Sequence, residues 1–214
     1  MAARTPLTRE RVIGAALDFV DAHGVDALSM RKLGAVLGVE AMSLYNHVSN
    51  KEDLLDGVAD LLLQLVPLPE RAGPEAWWDE IMELCQAVRE MGRAHPKAFP
   101  LLVTQTRNSY DSWAPILAGF EILRSAGLPD HDAIQAVSTV SAYLVGFILF
   151  EISAISLRGG KHGPVMGADD VPPDRPLLRE YLSGRRPADF DEEFREGITL
   201  FLQGVDARIW AGVG

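Results

Sequence analysis

The chain has 214 residues and a formal net charge of −10, a length that suits one large domain or a small domain beside a medium one. About half of it is apolar (48%), enough to bury a core; its only cysteine, Cys85, excludes an internal disulfide or a cysteine-based zinc cluster and reads as a small core hydrophobe. The longest apolar region, 142–155, is interrupted by Gly146, Glu151 and Ser153 and is too short for a membrane span, and Met1–Pro6 leads into charged sequence rather than a signal core, so the chain reads as a soluble cytoplasmic protein with no membrane partner.

The apolar spacing predicts helices almost throughout, with no β alternation and no internal repeat. Thr8 can cap a first helix with apolar positions Val12, Ala15, Ala16, Phe19 and Val20, ended by His23-Gly24. Ser29 can cap a second, short helix with Leu33, Val36 and Leu37 facing inward, broken at Gly38. A third begins near Glu40 and buries Leu44 and Val48. Ser49 to Glu52 reads as a capping box that opens a fourth helix, running through Leu54, Leu55, Val58, Leu61, Leu62 and Leu65.

Pro67, Pro69, Gly73 and Pro74 mark a linker. Helices are then expected over 75–94, 97–103 and 110–125, the last ending at Gly127, and a long apolar helix capped by Asp130 runs through about Leu157. Residues 158–189 are rich in glycine and proline and read as a long mobile connection, interrupted by a short helix over Leu177–Leu182. A final helix from Asp191 to about Ala211 carries one stripe through Phe194, Ile198, Phe201, Leu202, Val205 and Ile209.

The informative segment is 29–48. Two short amphipathic helices flank a Gly38-Val39 turn, with Leu33, Val39 and Leu44 as the small core that sets the angle between them. Ala41, Met42, Ser43, Tyr45, Asn46 and His47 stay outside, and small or hydrogen-bonding groups there suit a major groove. An ordinary helical hairpin with a polar face would show the same periodicity. Charge distribution tilts the balance only slightly. Up to Lys51 there are six bases against five acids, so the chain's negative charge lies beyond that point.

Two stretches carry a more specific signal. His23-Gly24-Val25-Asp26-Ala27-Leu28-Ser29-Met30-Arg31 and Leu44-Tyr45-Asn46-His47-Val48-Ser49-Asn50-Lys51-Glu52-Asp53-Leu54-Leu55 resemble the entry to and exit from the helix-turn-helix of TetR-type (tetracycline-repressor-like) regulators, a similarity that spans residues 8–66. The resemblance implies an all-α fold: an N-terminal three-helix DNA-binding domain (1–50), a connecting helix (51–66) and a C-terminal helical bundle for ligand binding and dimerisation (67–214). It implies double-stranded operator DNA as partner, a homodimer, and a repressor released by a small effector. By position it assigns Arg31 and Lys32 to the DNA, Ser43 to hydrogen bonding, Tyr45 and His47 to phosphate or thymine methyl groups, and Lys51 to a phosphate. Ala41 and Met42 lack the polar reach of some members. Asn46 stands where an aromatic is more usual; it could read an adenine or face a phosphate.

Beyond the linker the similarity to the tetracycline-repressor branch is weaker, carried by Glu75-Ala76-Trp77, Asp79, His95, Ala136-Val137-Ser138 and Gly146 in similar order. Leu84 and Leu102 fall where that branch holds tetracycline with polar groups, and Phe150, with Glu151 next to it, falls near its magnesium-linked acid. The likeness therefore implies the architecture and argues against that ligand. The expected pocket walls are Trp78, Met82, Cys85, Phe99, Leu102, Trp113, Leu117, Phe120, Tyr143 and Phe147, with Gln105, Arg107, Asn108 and Glu151 as orienting polar groups. Such a lining suits an apolar or aromatic effector. Dimerisation is expected through the long helix and the last one, on Val137, Leu144, Ile148, Ile198, Phe201, Val205 and Ile209. The five histidines lack metal-ligand spacing, and no nucleophile elbow or phosphate loop occurs, so neither catalysis nor a cofactor is expected.

Overall fold

The structure, a computed structural model, describes residues 6–159, 167–184 and 189–211. Among these there is no strand. Helices follow in the order α1 (Arg9–His23), α2 (Met30–Leu37), α3 (Ala41–Leu44), α4 (Lys51–Gln64), α5 (Trp77–Ala94), α6 (Leu101–Thr104), α7 (Ala114–Ser125), α8 (Asp130–Gly159), α9 (Pro176–Gly184) and α10 (Asp189–Ala211), with short 3-10 turns between several of them. By contacts the chain divides into two compact units, Met1–Ser125 and Ala126–Gly214.

The first helices begin and end where local chemistry dictates. Thr8 accepts from the Arg11 amide, and Ser29 from the Lys32 amide, which satisfies donors left over at each helix start. Gly24 and Gly38 close α1 and α2 with φ of +83° and +68°, a region costly for any residue with a Cβ. The inward arc of α2 is centred between Leu33 and Gly34. Val36, expected inside, is instead 62% exposed, because the arc has rotated toward Gly34. A Cβ on Gly34 would lie 2.9 Å from the Val39 carbonyl oxygen and 3.2 Å from the Ala41 amide nitrogen. The absence of a side chain there is what lets the turn and α3 close against α2.

The start of α4 differs from the expected capping box by one residue. Asn50, not Ser49, is the N-cap, and its Oδ1 accepts from the Asp53 amide at 2.8 Å. Asp53 returns the favour through its own carboxylate, which accepts from the Ser49 amide at 2.7 Å. Asn and Ser cap about equally well, so sequence alone does not choose between them. The choice is made by a distant group. Arg9 on α1 donates to both carboxylate oxygens of Asp53, at 2.6 and 3.3 Å, and so makes residue 53 the reciprocating acid in place of Glu52. The same Arg9 donates to the His47 carbonyl at 2.9 Å.

The rest of the first unit is tied to α1 and α4 by further polar contacts. On α4, Asp56 accepts from the Thr106 amide at 3.1 Å and from Asn108 Nδ2 at 3.0 Å, and Asp60 accepts from the Asn108 amide at 3.4 Å. At the far end of α1, Asp21 meets His95 Nδ1 at 2.6 Å, and Lys97 donates to the Ala22 carbonyl at 2.7 Å. The linker is pinned by Glu80, which accepts from the Ala72 amide at 2.6 Å and pairs with Arg71 at 2.8 Å.

In the second unit α8 is the long helix expected from Asp130 to about Leu157, and it is more apolar than the interrupted stretch 142–155 suggested: an 18-residue window within 130–154 has a mean hydropathy of 1.8, enough by length and composition to cross a membrane. Small polar residues such as Ser and Thr barely lower that mean. The helix is nevertheless two-faced. Its buried residues, Ala133, Ala136, Val137, Val140, Leu144, Ile148 and Glu151, fall on one stripe at helical spacing, while Gln135, Ser138, Thr139 and Phe150 face outward. It packs on α10 through Tyr143 and Phe147 against Phe194, with ring centres 6.4 and 5.2 Å apart, and the Tyr143 hydroxyl lies directly over Gly197. Val137, Leu144, Ile148, Ile198 and Val205, expected to face a second subunit, are already buried within one chain. Within the glycine- and proline-rich stretch, the short helix expected over Leu177–Leu182 is present as α9, and a 3-10 turn covers Ala168–Asp170; 160–166 and 185–188 lie outside the described residues.

Two measurements probe this scheme. Gly34→Ala should cost about 1–3 kcal/mol in urea denaturation, since only backbone surrounds the new methyl. Gly14→Ala, inside α1 with nothing within 4 Å of a Cβ, should instead gain about 0.5–1 kcal/mol from helix propensity. The second concerns Asp53. The Arg9 guanidinium holds its carboxyl at about 2, below the ordinary 3.8. A depressed carboxyl stabilises the fold above its unfolded pKa and loses that effect as pH falls through the folded one. Asp53→Asn should therefore cost about 1 kcal/mol at pH 7, discounted for partial exposure of the pair, and the difference from wild type should close between about pH 4 and pH 2.

Candidate nucleic-acid interface and effector region

A four-residue helix cannot hold itself together, so the recognition segment must be placed from outside. It is shorter than the sequence predicts: regular helix covers Ala41–Leu44, and turns continue through His47, with the amides of His47 and Val48 both returning to the Leu44 carbonyl. Leu44 and Val48 are buried and anchor the segment inward. From the other side Arg9 holds the His47 carbonyl, and the Asp53 cluster fixes the start of α4 directly after it.

This arrangement leaves one outward face. Arg31, Met42, Tyr45 and Asn46 are exposed; Ala41, Ser43, His47 and Lys51 are half-buried on the same part of the head. Lys32 is exposed along its stem, but its ammonium donates to the Ala27 carbonyl at 2.9 Å, so part of its hydrogen-bonding capacity is spent within the head. Lys51 is the first residue of α4, where unpaired amides and the helix dipole favour an anion. A cleft of about 370 Å³ opens beside the recognition segment, bounded by the Pro6-Leu7 strand of chain, Arg11, Leu37, Val39, Ser43, Asn46 and His47. Asn46 thus shares its surroundings with Arg11 and His47.

Sequence reasoning did not single out Arg9, Arg11 or Asp53. Arg9 and Asp53 stand 44 residues apart, so no local pattern links them. Their only trace was a base and an acid near the two ends of the motif.

The residues expected to line an effector site divide between the two units. In the first, Trp78, Met82, Gln105, Leu117 and Phe120 are half-buried, and Trp113 is exposed with the Arg107 guanidinium 5.2 Å above its ring. Leu102 and Cys85 are buried, and burial pushes the Cys85 thiol up to about 12, which leaves it unreactive at neutral pH. Phe99 has no accessible surface at all and so touches no space that even a water could enter. On α8, Tyr143 and Phe147 are half-buried and Glu151 is buried. Arg107 keeps a buried Nε without a hydrogen-bond partner, as does one Asp60 oxygen. No group of three or more His, Cys, Asp or Glu side chains that could hold a metal occurs among the described residues.

These features agree with known proteins over nearly the whole chain. Residues 12–58 match the family model described as bacterial regulatory proteins, tetR family, and residues 68–209 match the tetracyclin repressor-like C-terminal domain. An HTH-type transcriptional regulator of Saccharopolyspora erythraea is 32% identical over 208 residues, covering 94% of this chain and 85% of that protein. The class A tetracycline repressor protein from transposon 1721 of Escherichia coli is 31% identical over 209 residues, covering 95% and 93%. Among solved structures, the Streptomyces coelicolor TetR family protein ActR in complex with actinorhodin superposes with a TM-score of 0.79 at 30% identity, covering 96% of this chain and 99% of that one. With a helix-turn-helix head, an all-helical body and matches of this extent to both halves, the chain belongs to the TetR family of transcriptional regulators.

Proposed function

We propose that this protein is a repressor that binds a palindromic operator as a homodimer in the cytoplasm and lets go when a small, largely apolar effector enters its C-terminal bundle. The observation that carries the reading is the head's outward face: Arg31, Ser43, Tyr45, Asn46, His47 and Lys51 gather around a recognition segment held in place by Arg9 and Asp53. In a chain of net charge −10, that face is the part able to meet a polyanion, and the acidic remainder would turn it toward DNA. The boundaries proposed for the parts are 1–50 for reading DNA, 51–66 for the connecting helix and 67–214 for ligand binding and dimerisation.

The effector reading rests on the half-buried aromatic and thioether side chains. In the first unit, Trp78, Met82, Leu117 and Phe120 offer half-buried apolar surface with few charges. Leu84 and Leu102 are both buried, which supplies no hydrogen bonds where tetracycline would need them. ActR, solved in complex with actinorhodin, supports a ligand site in a chain of this fold. Operator affinity then falls because the effector favours the arrangement that does not bind DNA; a coupling of ~1–3 kcal/mol corresponds to roughly 5–150-fold.

The homodimer reading rests on the second unit. With most of the expected stripe buried inside the chain, Leu200, Ile134 and Phe150 remain outward on α8 and α10, Leu200 the most at 70% exposed, beside a groove of about 910 Å³ between the first half of α8 and the second half of α10. Leu128, Ala136, Thr139, Phe201, Gly204 and Val205 form its floor and walls. Small residues on both helices allow a second pair of helices to approach closely. One helix-turn-helix makes too few base contacts for tight specificity, and a two-fold copy doubles them.

Two experiments test this reading. Lys51→Ala should weaken binding to every duplex and lower the salt slope by about one unit per subunit, measured by fluorescence anisotropy across salt concentrations; unchanged affinity and slope would contradict the assignment. In sedimentation at micromolar concentration the wild type should run as a dimer. Leu200→Glu should run as a folded monomer, and a dimer of undiminished stability would place the interface elsewhere.

A further inference from the structure

We infer that Met42 is a specificity-determining residue, which reads the C5 methyl group of a thymine in the major groove. The inference rests on the DNA-binding reading and adds the base to which one position responds. Met42 is 74% exposed, although it is large and apolar. It takes no part in the head's core, because Leu44 and Val48 supply the inward anchors of the same segment and are buried. A single exposed apolar side chain is ordinary on a protein surface. Its place is what matters: it is the second residue of α3, with exposed Tyr45 one turn further along the same side.

The chemistry of that face narrows the target. A thioether has no N–H or O–H to donate and is only a weak acceptor, so Met42 cannot match the donor and acceptor pattern of a guanine, cytosine or adenine edge. The one apolar group that a base pair displays in the major groove is the thymine methyl. A methionine also adapts its three side-chain torsions to a small apolar target. Opposite any other base it would cover polar atoms without replacing their hydrogen bonds with water, which turns the contact into discrimination. Ala41, next to it and half-buried, adds no competing polar group.

The test removes only the methyl. Duplexes that bind the full-length protein are first selected from a random pool. Each thymine of the selected half-site is then replaced in turn by deoxyuridine, and the Kd is measured by fluorescence anisotropy. One thymine per half-site should show a roughly four-fold loss with the wild-type protein, the weight of one buried methyl. Met42→Ala should abolish the loss at that thymine, while Val103→Ala, at an exposed apolar position outside the proposed DNA-binding face, should leave it in place. A Met42→Ala protein that keeps every wild-type penalty, or a wild type with no penalty at any thymine, would overturn the inference. If no duplex is enriched at all, the DNA-binding reading fails and takes the inference with it.

Discussion

One carboxylate, that of Asp53, holds the DNA-reading head in register. It accepts two hydrogen bonds from Arg9 and one from the Ser49 amide, while its own amide closes the cap on Asn50. Three pieces of chain therefore meet at one residue: the start of α1, the exit of the recognition segment and the first turn of α4. Charge-assisted bonds of this kind are short and directional. They set positions more tightly than the packing of a four-residue helix could. Arg9 completes the arrangement by holding the His47 carbonyl, so the recognition segment is gripped through its backbone and its side chains stay available.

The division of labour within the head follows from this. Apolar burial decides which way the segment faces, because Leu33, Leu44, Val48 and Leu54 are all withdrawn from water. Close approach decides the angle, because α2 offers Gly34 where the turn and α3 pass. The polar cluster then decides the register of α4, and with it the place of Lys51. Each of these depends on a different kind of residue, and none could be exchanged for another.

What the sequence made legible is what acts over a few residues. Thr8 and Ser29 as caps, Gly24 and Gly38 as stops, and the inward Leu33 and Leu44 all follow from neighbours within a helical turn or two, and the structure has them so. What stayed hidden depends on contacts across the fold. Ser49 and Asn50 are equivalent caps until Arg9 is brought 44 residues along the chain to Asp53. Val36 fits an apolar helical face until Gly34 rotates that face. The stripes of α8 and α10 were visible, but periodicity does not say whether a stripe meets its own chain or another copy; five of the seven residues named for a second subunit are buried within one. At the site, the exposed set of Arg31, Met42, Tyr45 and Asn46 was legible because it is what remains when the inward residues are subtracted. The residues expected to line an effector site were less so, since an aromatic that walls a pocket and one that fills a core, as Phe99 does, look alike in sequence.

The polar contacts also determine how the head is joined to the helices that follow it. α1 and α4 each carry ties at both ends. α1 is held by Asp53 near its start, and near its end by His95 through Asp21 and by Lys97 through the Ala22 carbonyl. α4 is held by Asn50 and Arg9 at its start, and further along by Asp56 and Asp60 to the backbone and side chains of 106–108. The turn at 95–99 leads into α6, and 105–109 leads out of it, so one short helix, Leu101–Thr104, lies between the two sets of ties. A displacement of α6 must therefore either break hydrogen bonds on both helices or carry α1 and α4 with it. These bonds are exposed or only part-buried, so each is worth roughly 0.5–1.5 kcal/mol net, but several would be lost at once. Moving the two helices as a body is the cheaper course, and the recognition segment, gripped by Arg9 and by the start of α4, has to move with them.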